Sequence, residues 1–174
     1  EVPVIYQTIQ EAINAADEGD IIQVSNGTYY EHLTINKNGL KLIGENPNTT
    51  IIDGNHTGTV VKVSANNVTM TGFTIRNSGD PGQGIYLHHS SNTTVHNSIC
   101  YNCSIGVKVH ESKDNKIIEN TIVNSSNSGI ELAVKTSYTL ISNNKITPIQ
   151  PSGVGINVFN YADNNTINGN IIMY

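Results

Sequence analysis

The feature that most restricts how this chain can fold is a repeat. Aligned on a short segment rich in Asn and Ile, the sequence gives "GFTI" (72–75), "HNSI" (96–99), "ENTI" (119–122), "NNKI" (143–146) and "GNII" (169–172), at steps of about 23–26 residues. The Ile column is Ile75, Ile99, Ile122, Ile146 and Ile172, and two residues earlier stand Phe73, Asn97, Asn120, Asn144 and Asn170. A second column follows each copy, in "GIYL" (84–87), "GVKV" (106–109), "GIEL" (129–132) and "GINV" (155–158). Upstream, "LTI" (33–35) and "VVKV" (60–63) fit the same place without the Gly. A third column precedes the Asn segment, at Leu42, Met70, Thr94, Ile117, Ile141 and Ile167. Each repeat therefore holds three short strands with one or two apolar residues apiece. No repeat can bury its own face, so the repeats must stack. With rungs about 4.8 Å apart, six or so coils form a rod roughly 30 Å long. The pattern predicts an all-β fold, a right-handed parallel β-helix of about six coils.

The asparagines follow from the same geometry. Asn120 shares parity with Ile122, so both point inward along a strand, whereas Ile117 is three residues away and the chain must bend between them. Asn tolerates the left-handed backbone that a tight bend needs, and stacked Asn side chains can satisfy one another and the turn backbone. Asn97, Asn120, Asn144 and Asn170 are read as a structural ladder. Asn92, Asn115 and Asn165 are read as turn residues that begin the preceding strand.

Residues 6–20 ("YQTIQEAINAADEGD") break the repeat. Thr8 and Glu11 have the spacing of a capping box, and Ile9, Ala12, Ile13 and Ala16 form one apolar face that ends before Gly19. The spacing predicts a short helix closing the first coil and shielding its edges. The expected organisation is residues 1–20 as an N-terminal strand and capping helix, and 21–174 as the β-helix. "NNTINGNIIMY" stops in mid-repeat, so the far end is expected to continue or to be covered by another chain.

Outward positions of the second column give the functional candidates. One line is Thr34, Lys62, Tyr86, Lys108, Glu131 and Asn157; the other is Asn36, Ser64, His88, His110, Ala133 and Phe159. Tyr86, His88, Lys108, His110, Glu131 and Asn157 thus combine an aromatic face for stacking on sugar, imidazoles, a base and an acid on one strip. The same residues also read as an ordinary sheet surface, with Lys108 and Glu131 as a cross-strand pair. If the strip is catalytic, Lys108, Glu131 and His110 are the candidates. Glu111 and Glu119, the other carboxylates that hydrolysis would draw on, fall by column in turns facing away from Glu131. His88 and His110 are near enough to share an ion, with His89 and Glu111 one column further out. Their spacing is not that of a zinc motif, so no metal and no cofactor is assigned. "CYNC" (100–103) has no second Cys pair for zinc. Cys100 and Cys103 form a small disulfide in an exported chain, or remain free thiols in a reducing compartment.

A charged content of 13%, a net charge of −5 and a single arginine, Arg76, exclude a nucleic-acid partner. No apolar run is long enough to cross a membrane as a helix. Eight N-x-S/T sequons, at Asn26, Asn48, Asn55, Asn67, Asn92, Asn102, Asn124 and Asn164, suit an exported chain.

Residues 6–55 resemble the opening of the NosD-type periplasmic proteins and CASH repeats (carbohydrate-binding proteins and sugar hydrolases) and, more distantly, of pectin methylesterases. Residues 67–174 are similar to the NosD/CASH repeats themselves, which also recur in archaeal surface proteins. The resemblance implies a pectin lyase-like β-helix and an extracellular, cell-surface or, in a bacterium, periplasmic location. It does not bring a catalytic signature. The clustered Asp and Arg residues of pectate lyases are missing, as are the N-T-D, D-D, H-G and R-I-K motifs of polygalacturonases. Asp53 lacks the second Asp of a pectin methylesterase, and "GDPG" (79–82) lacks the histidine of D-P-H-type alginate-modifying enzymes. The expectation is therefore a non-enzymatic exported β-helix domain, a spacer that touches polysaccharide. The alternatives are a polysaccharide lyase or glycoside hydrolase, and, because NosD relatives are associated with copper delivery, a copper-handling module.

Overall fold

The computed structural model describes residue 2, residues 5–148 and residues 153–174; among these are twenty strands and one helix. The strands form three parallel sheets, and each strand inside a sheet pairs with its counterparts one coil before and one coil after. The first sheet has seven strands, from Ile21–Val24 to Thr166–Asn168, and the second has seven, from Gly27–Tyr29 to Ile171–Ile172. The third has six, from Leu33–Ile35 to Val154–Val158. This is a parallel β-helix with three strands per coil, as the repeat requires.

Register fixes the core. Leu42, Met70, Val95, Ile117 and Ile141 stack in the first sheet, and Ile52, Ile75, Cys100, Ile122 and Ile146 in the second. All of these are buried. Ile167, Ile171 and Ile172, on the last described rung, are exposed, their strands being paired on one side among the described residues. The longer strands of the third sheet carry Gly as their second residue because the second sheet comes close there. A Cβ on Gly106 would sit 2.5 Å from Ile122 Cγ2 and 2.6 Å from the Gly129 carbonyl oxygen.

One coil differs from the sequence reading by a residue. Val95, Ser98 and Cys100 occupy the places expected for Thr94, Asn97 and Ile99. Asn97 is exposed, with φ of 46°, at a corner where other coils put Gly72, Glu119, Asn143 and Gly169, all with positive φ. The corner needs the left-handed conformation, Asn97 supplies it, and Ser98 then enters the ladder. The ladder is therefore Ser98, Asn120, Asn144 and Asn170. Asn144 Oδ1 accepts from the Asn120 backbone N–H at 2.9 Å, and its Nδ2 donates to Ile117 O at 2.8 Å and to Asn170 Oδ1 at 2.9 Å. Asn120 Oδ1 accepts from Ser98 N at 3.1 Å, and its Nδ2 donates to Val95 O at 3.0 Å.

A second ladder runs along the neighbouring corner. Asn115 accepts from Thr93 N and donates to Ser90 O, each at 2.9 Å, and Asn165 does the same for Thr139 N at 2.8 Å and Thr136 O at 3.0 Å. Asn92 is not part of it; it is a left-handed corner residue whose Nδ2 donates to Asn67 Oδ1 at 2.7 Å. Corner chemistry also accounts for the sequons. Asn55, Asn67, Asn92, Asn102, Asn124 and Asn164, six of the eight, have positive φ.

The helix, Ile9–Ala15, covers the first coil. Its capping box is complete: Glu11 N–H donates to Thr8 Oγ1 and Thr8 N–H to Glu11 Oε2. Glu31 accepts from the next two orphan donors, Ile9 N at 2.9 Å and Gln10 N at 3.0 Å. The Gln10 amide pairs with the open edge of the third sheet, accepting from Thr34 N and donating to Thr34 O. The helix ends at Ala16, in extended conformation, three residues before the left-handed Gly19 expected to stop it. Of the expected N-terminal strand, Val2 bridges Val24, and residues 1, 3 and 4 lie outside the described residues.

Candidate functional site

Alternation along the third sheet turns every second side chain outward, and parallel register carries these into lines across the coils. Thr34, Lys62, Tyr86, Lys108, Glu131 and Asn157 are direct neighbours on successive strands. His88, His110 and Ala133 form the second line. The six expected glycan-facing residues share this one surface.

Its electrostatics are uneven. Lys108 Nζ lies 2.7 Å from Glu131 Oε1, and the Glu131 side chain is only 6% exposed. A carboxylate held this way is a fixed counter-charge for Lys108. Tyr86 is half-buried, and burial together with the Glu111 and Glu131 charges raises its phenol pKa, so it presents a neutral hydroxyl. Tyr86 stacks on His88, with ring centroids 5.2 Å apart and planes 28° from parallel.

The end of this sheet departs from the sequence reading. His89 and Glu111 are left-handed corner residues, with φ of 52° and 46°. The turn ends strand alternation, so the His89 ring lies beside that of His88, with centroids 4.1 Å apart. Glu111 curls back rather than facing away from the strip. Its Oε2 is 3.4 Å from His89 Nε2, 3.6 Å from His110 Nδ1 and 3.9 Å from His88 Nε2. Burial lowers the His88 pKa, and the neighbouring His89, His110 and Lys62 charges add to this against the opposing pull of Glu111. Glu119 is exposed at a corner between the first and second sheets, apart from this cluster.

Cys100 and Cys103 are free, buried thiols rather than a disulfide. Both sulfurs lie against Gly84, where an added Cβ would be 3.1 Å from Cys103 Sγ and 3.6 Å from Cys100 Sγ. Burial raises both thiol pKa values, that of Cys100 strongly, so neither is a thiolate at neutral pH.

A family model described as "Periplasmic copper-binding protein (NosD)" matches residues 5–174. The chain belongs to the NosD family. The match spans the helix and the coils alike. No curated protein matches the sequence. Among solved structures, the chain is similar to the catalytic domain of a GH87 α-1,3-glucanase in complex with tetrasaccharides (TM-score 0.75, 19% identity, covering 91% of this chain and 31% of that one). It is also similar to an alginate lyase from Paenibacillus sp. (TM-score 0.66, 18% identity, 94% and 72% covered). A pectin methylesterase in complex with a hexasaccharide aligns with a TM-score of 0.52 and 15% identity, covering 90% of this chain and 63% of that one. These likenesses show the pectin lyase-like fold. The chain spans under a third of the glucanase domain and under two thirds of the esterase.

Proposed function

We propose that this β-helix is a non-catalytic spacer of a periplasmic or cell-surface protein and binds polysaccharide along the outward face of its third sheet. The observation that carries the reading is the continuous line Lys62, Tyr86, Lys108, Glu131 and Asn157, in register on five consecutive strands. A repeating polymer laid across the strands meets a new side chain at each rung, with Tyr86 as the apolar platform and Lys62 and Asn157 as polar contacts. The carbohydrate-acting proteins that share the fold support a sugar polymer as the ligand class. The alternative, a lyase or hydrolase using Lys108, Glu131 and His110, is disfavoured by the Lys108–Glu131 pair, which occupies both the base and the acid.

The test is size-exclusion chromatography of neutral and acidic polysaccharides incubated with the chain, with and without calcium. Co-elution of one polymer at unchanged length, lost in Tyr86→Ala, is the expected result. Progressive shortening would establish an enzyme instead, and no co-elution with any polymer would leave a spacer alone.

The copper of the family description needs donors. Cys100, Cys103 and Met70 are all buried in the coil interior, so sulfur offers no accessible site there. Nitrogen and oxygen donors at the end of the third sheet do fit an ion.

A further inference from the structure

The corner where Gln83–His88 and Ile105–His110 end gathers donors beside the Lys62–Asn157 line rather than on it. Three imidazole nitrogens, from His88, His89 and His110, surround the single atom Glu111 Oε2 at 3.4–3.9 Å. These separations are longer than hydrogen bonds, and His110 Nδ1 is sealed from solvent without a hydrogen-bond partner among the described residues. The donor atoms of His88, His89 and Glu111 all lie within 4.8 Å of one another. Two ligands about 2.1 Å from one ion in tetrahedral geometry stand about 3.4 Å apart, so His89 and Glu111 already have the required spacing and His88 needs only a small shift.

The backbone explains the convergence. Left-handed turns at His89 and Glu111 swing consecutive coils' corner side chains onto the same side as His88. The stack on Tyr86 fixes the His88 ring. His110 Nδ1 faces the Glu111 carboxylate, the place from which a second imidazole orients a ligand.

We propose that His88, His89 and Glu111 bind one divalent first-row transition ion, with His110 as a positioning residue on Glu111. Imidazole and carboxylate donors suit Cu(II), Zn(II) and Ni(II), with Cu(II) held most tightly. The cluster contains no sulfur, so its chemistry favours the divalent over the cuprous ion. His89, with a side chain 61% exposed, leaves the site open to solvent for a further ligand.

The experiment is calorimetric titration of the tag-free chain with Cu²⁺ and Zn²⁺ in a non-coordinating buffer, without glycan, and electron paramagnetic resonance of the Cu²⁺ form. One ion per chain and splitting from two imidazole nitrogens are expected. His89→Ala and Glu111→Gln should each weaken binding at least tenfold. His110→Phe should weaken it by about tenfold, the usual effect of losing an orienting partner. His56→Ala, at an exposed corner elsewhere, should change nothing. No saturable binding, a copper spectrum without nitrogen splitting, binding that survives both His89→Ala and Glu111→Gln, or binding that His56→Ala removes would each overturn the proposal. The nitrogen count is read on the unmodified chain, so it stands even if a variant misfolds.

Discussion

At the scale of the residue, this fold depends on polar side chains that stay inside. Asn144 serves two backbone groups and two side chains of adjacent coils, all in a buried corner. Asn144→Ala would strand the Asn120 N–H and the Ile117 carbonyl without water, a loss of about 2–4 kcal/mol for two buried unsatisfied groups. Asn97→Gly, at the exposed left-handed corner, should shift stability by less than about 0.5 kcal/mol, since Gly adopts positive φ without strain. Urea denaturation of the two variants checks both, and near-equal losses would contradict the ladder as drawn. The Lys108–Glu131 pair gives a second residue-level expectation. Lys108→Ala leaves a buried carboxylate unpaired and should cost about 3 kcal/mol, whereas Lys108→Met with Glu131→Leu should recover most of that loss.

Asp53 adds a pH dependence. Burial opposes its ionisation, but the Asn55 N–H, the Arg76 guanidinium at 2.6 Å and the Asn77 amide prevail and hold its pKa below the ordinary value. A carboxyl with a depressed folded-state pKa stabilises the protein above its unfolded pKa, and that contribution fades as pH falls through the folded value. Acid denaturation should therefore begin at higher stability loss per pH unit in the parent than in Asp53→Asn, below about pH 4, where an unfolded Asp takes up its proton.

At the scale of the element, legibility in the sequence followed the strictness of the local rule. The first outward line of the third sheet, and His88, His110 and Ala133 of the second, were readable because the strands that carry them keep the same register; Asn36, Ser64 and Phe159 fall just past their strand ends. The coil at 92–101 was misread because matching Asn to Asn ignores which residue turns the corner; the left-handed position, and not the identity of its neighbour, sets the register. Glu111 was misplaced for a related reason. Once the backbone turns left-handed, strand parity no longer predicts where a side chain points. The burial of Glu131 was not legible at all, since it depends on what packs around the strip. The helix was readable from Thr8 and Glu11, but the part played by Glu31 in capping it was not, because that contact spans 22 residues. Thr8→Ala should lower stability by about 1 kcal/mol, the usual cost of losing an N-cap, measured by thermal or urea unfolding.

At the scale of the molecule, each coil touches only its neighbours, and stability is close to a sum of coil and interface terms. The middle coils have a partner on both sides, while the Thr166–Asn168 and Ile171–Ile172 strands have one. Amide hydrogen exchange should therefore be slowest near Lys116–Ile118 and Thr121–Val123 and faster in the last rung, with equal protection throughout contradicting the stacked account. Stacking of this kind holds the outward residues of the third sheet in register from coil to coil.

The central claim is that this surface, and no other, meets the polysaccharide. The most direct test is proton–nitrogen NMR of the labelled chain titrated with neutral α-1,3-glucan oligosaccharides and with acidic alginate and pectin oligosaccharides. The account predicts shifts from at least one of them concentrated in Val61–Val63, Gln83–His88 and Ile105–His110, with Tyr86→Ala abolishing them. Shifts confined to the first or second sheet, or none with any oligosaccharide, would contradict it.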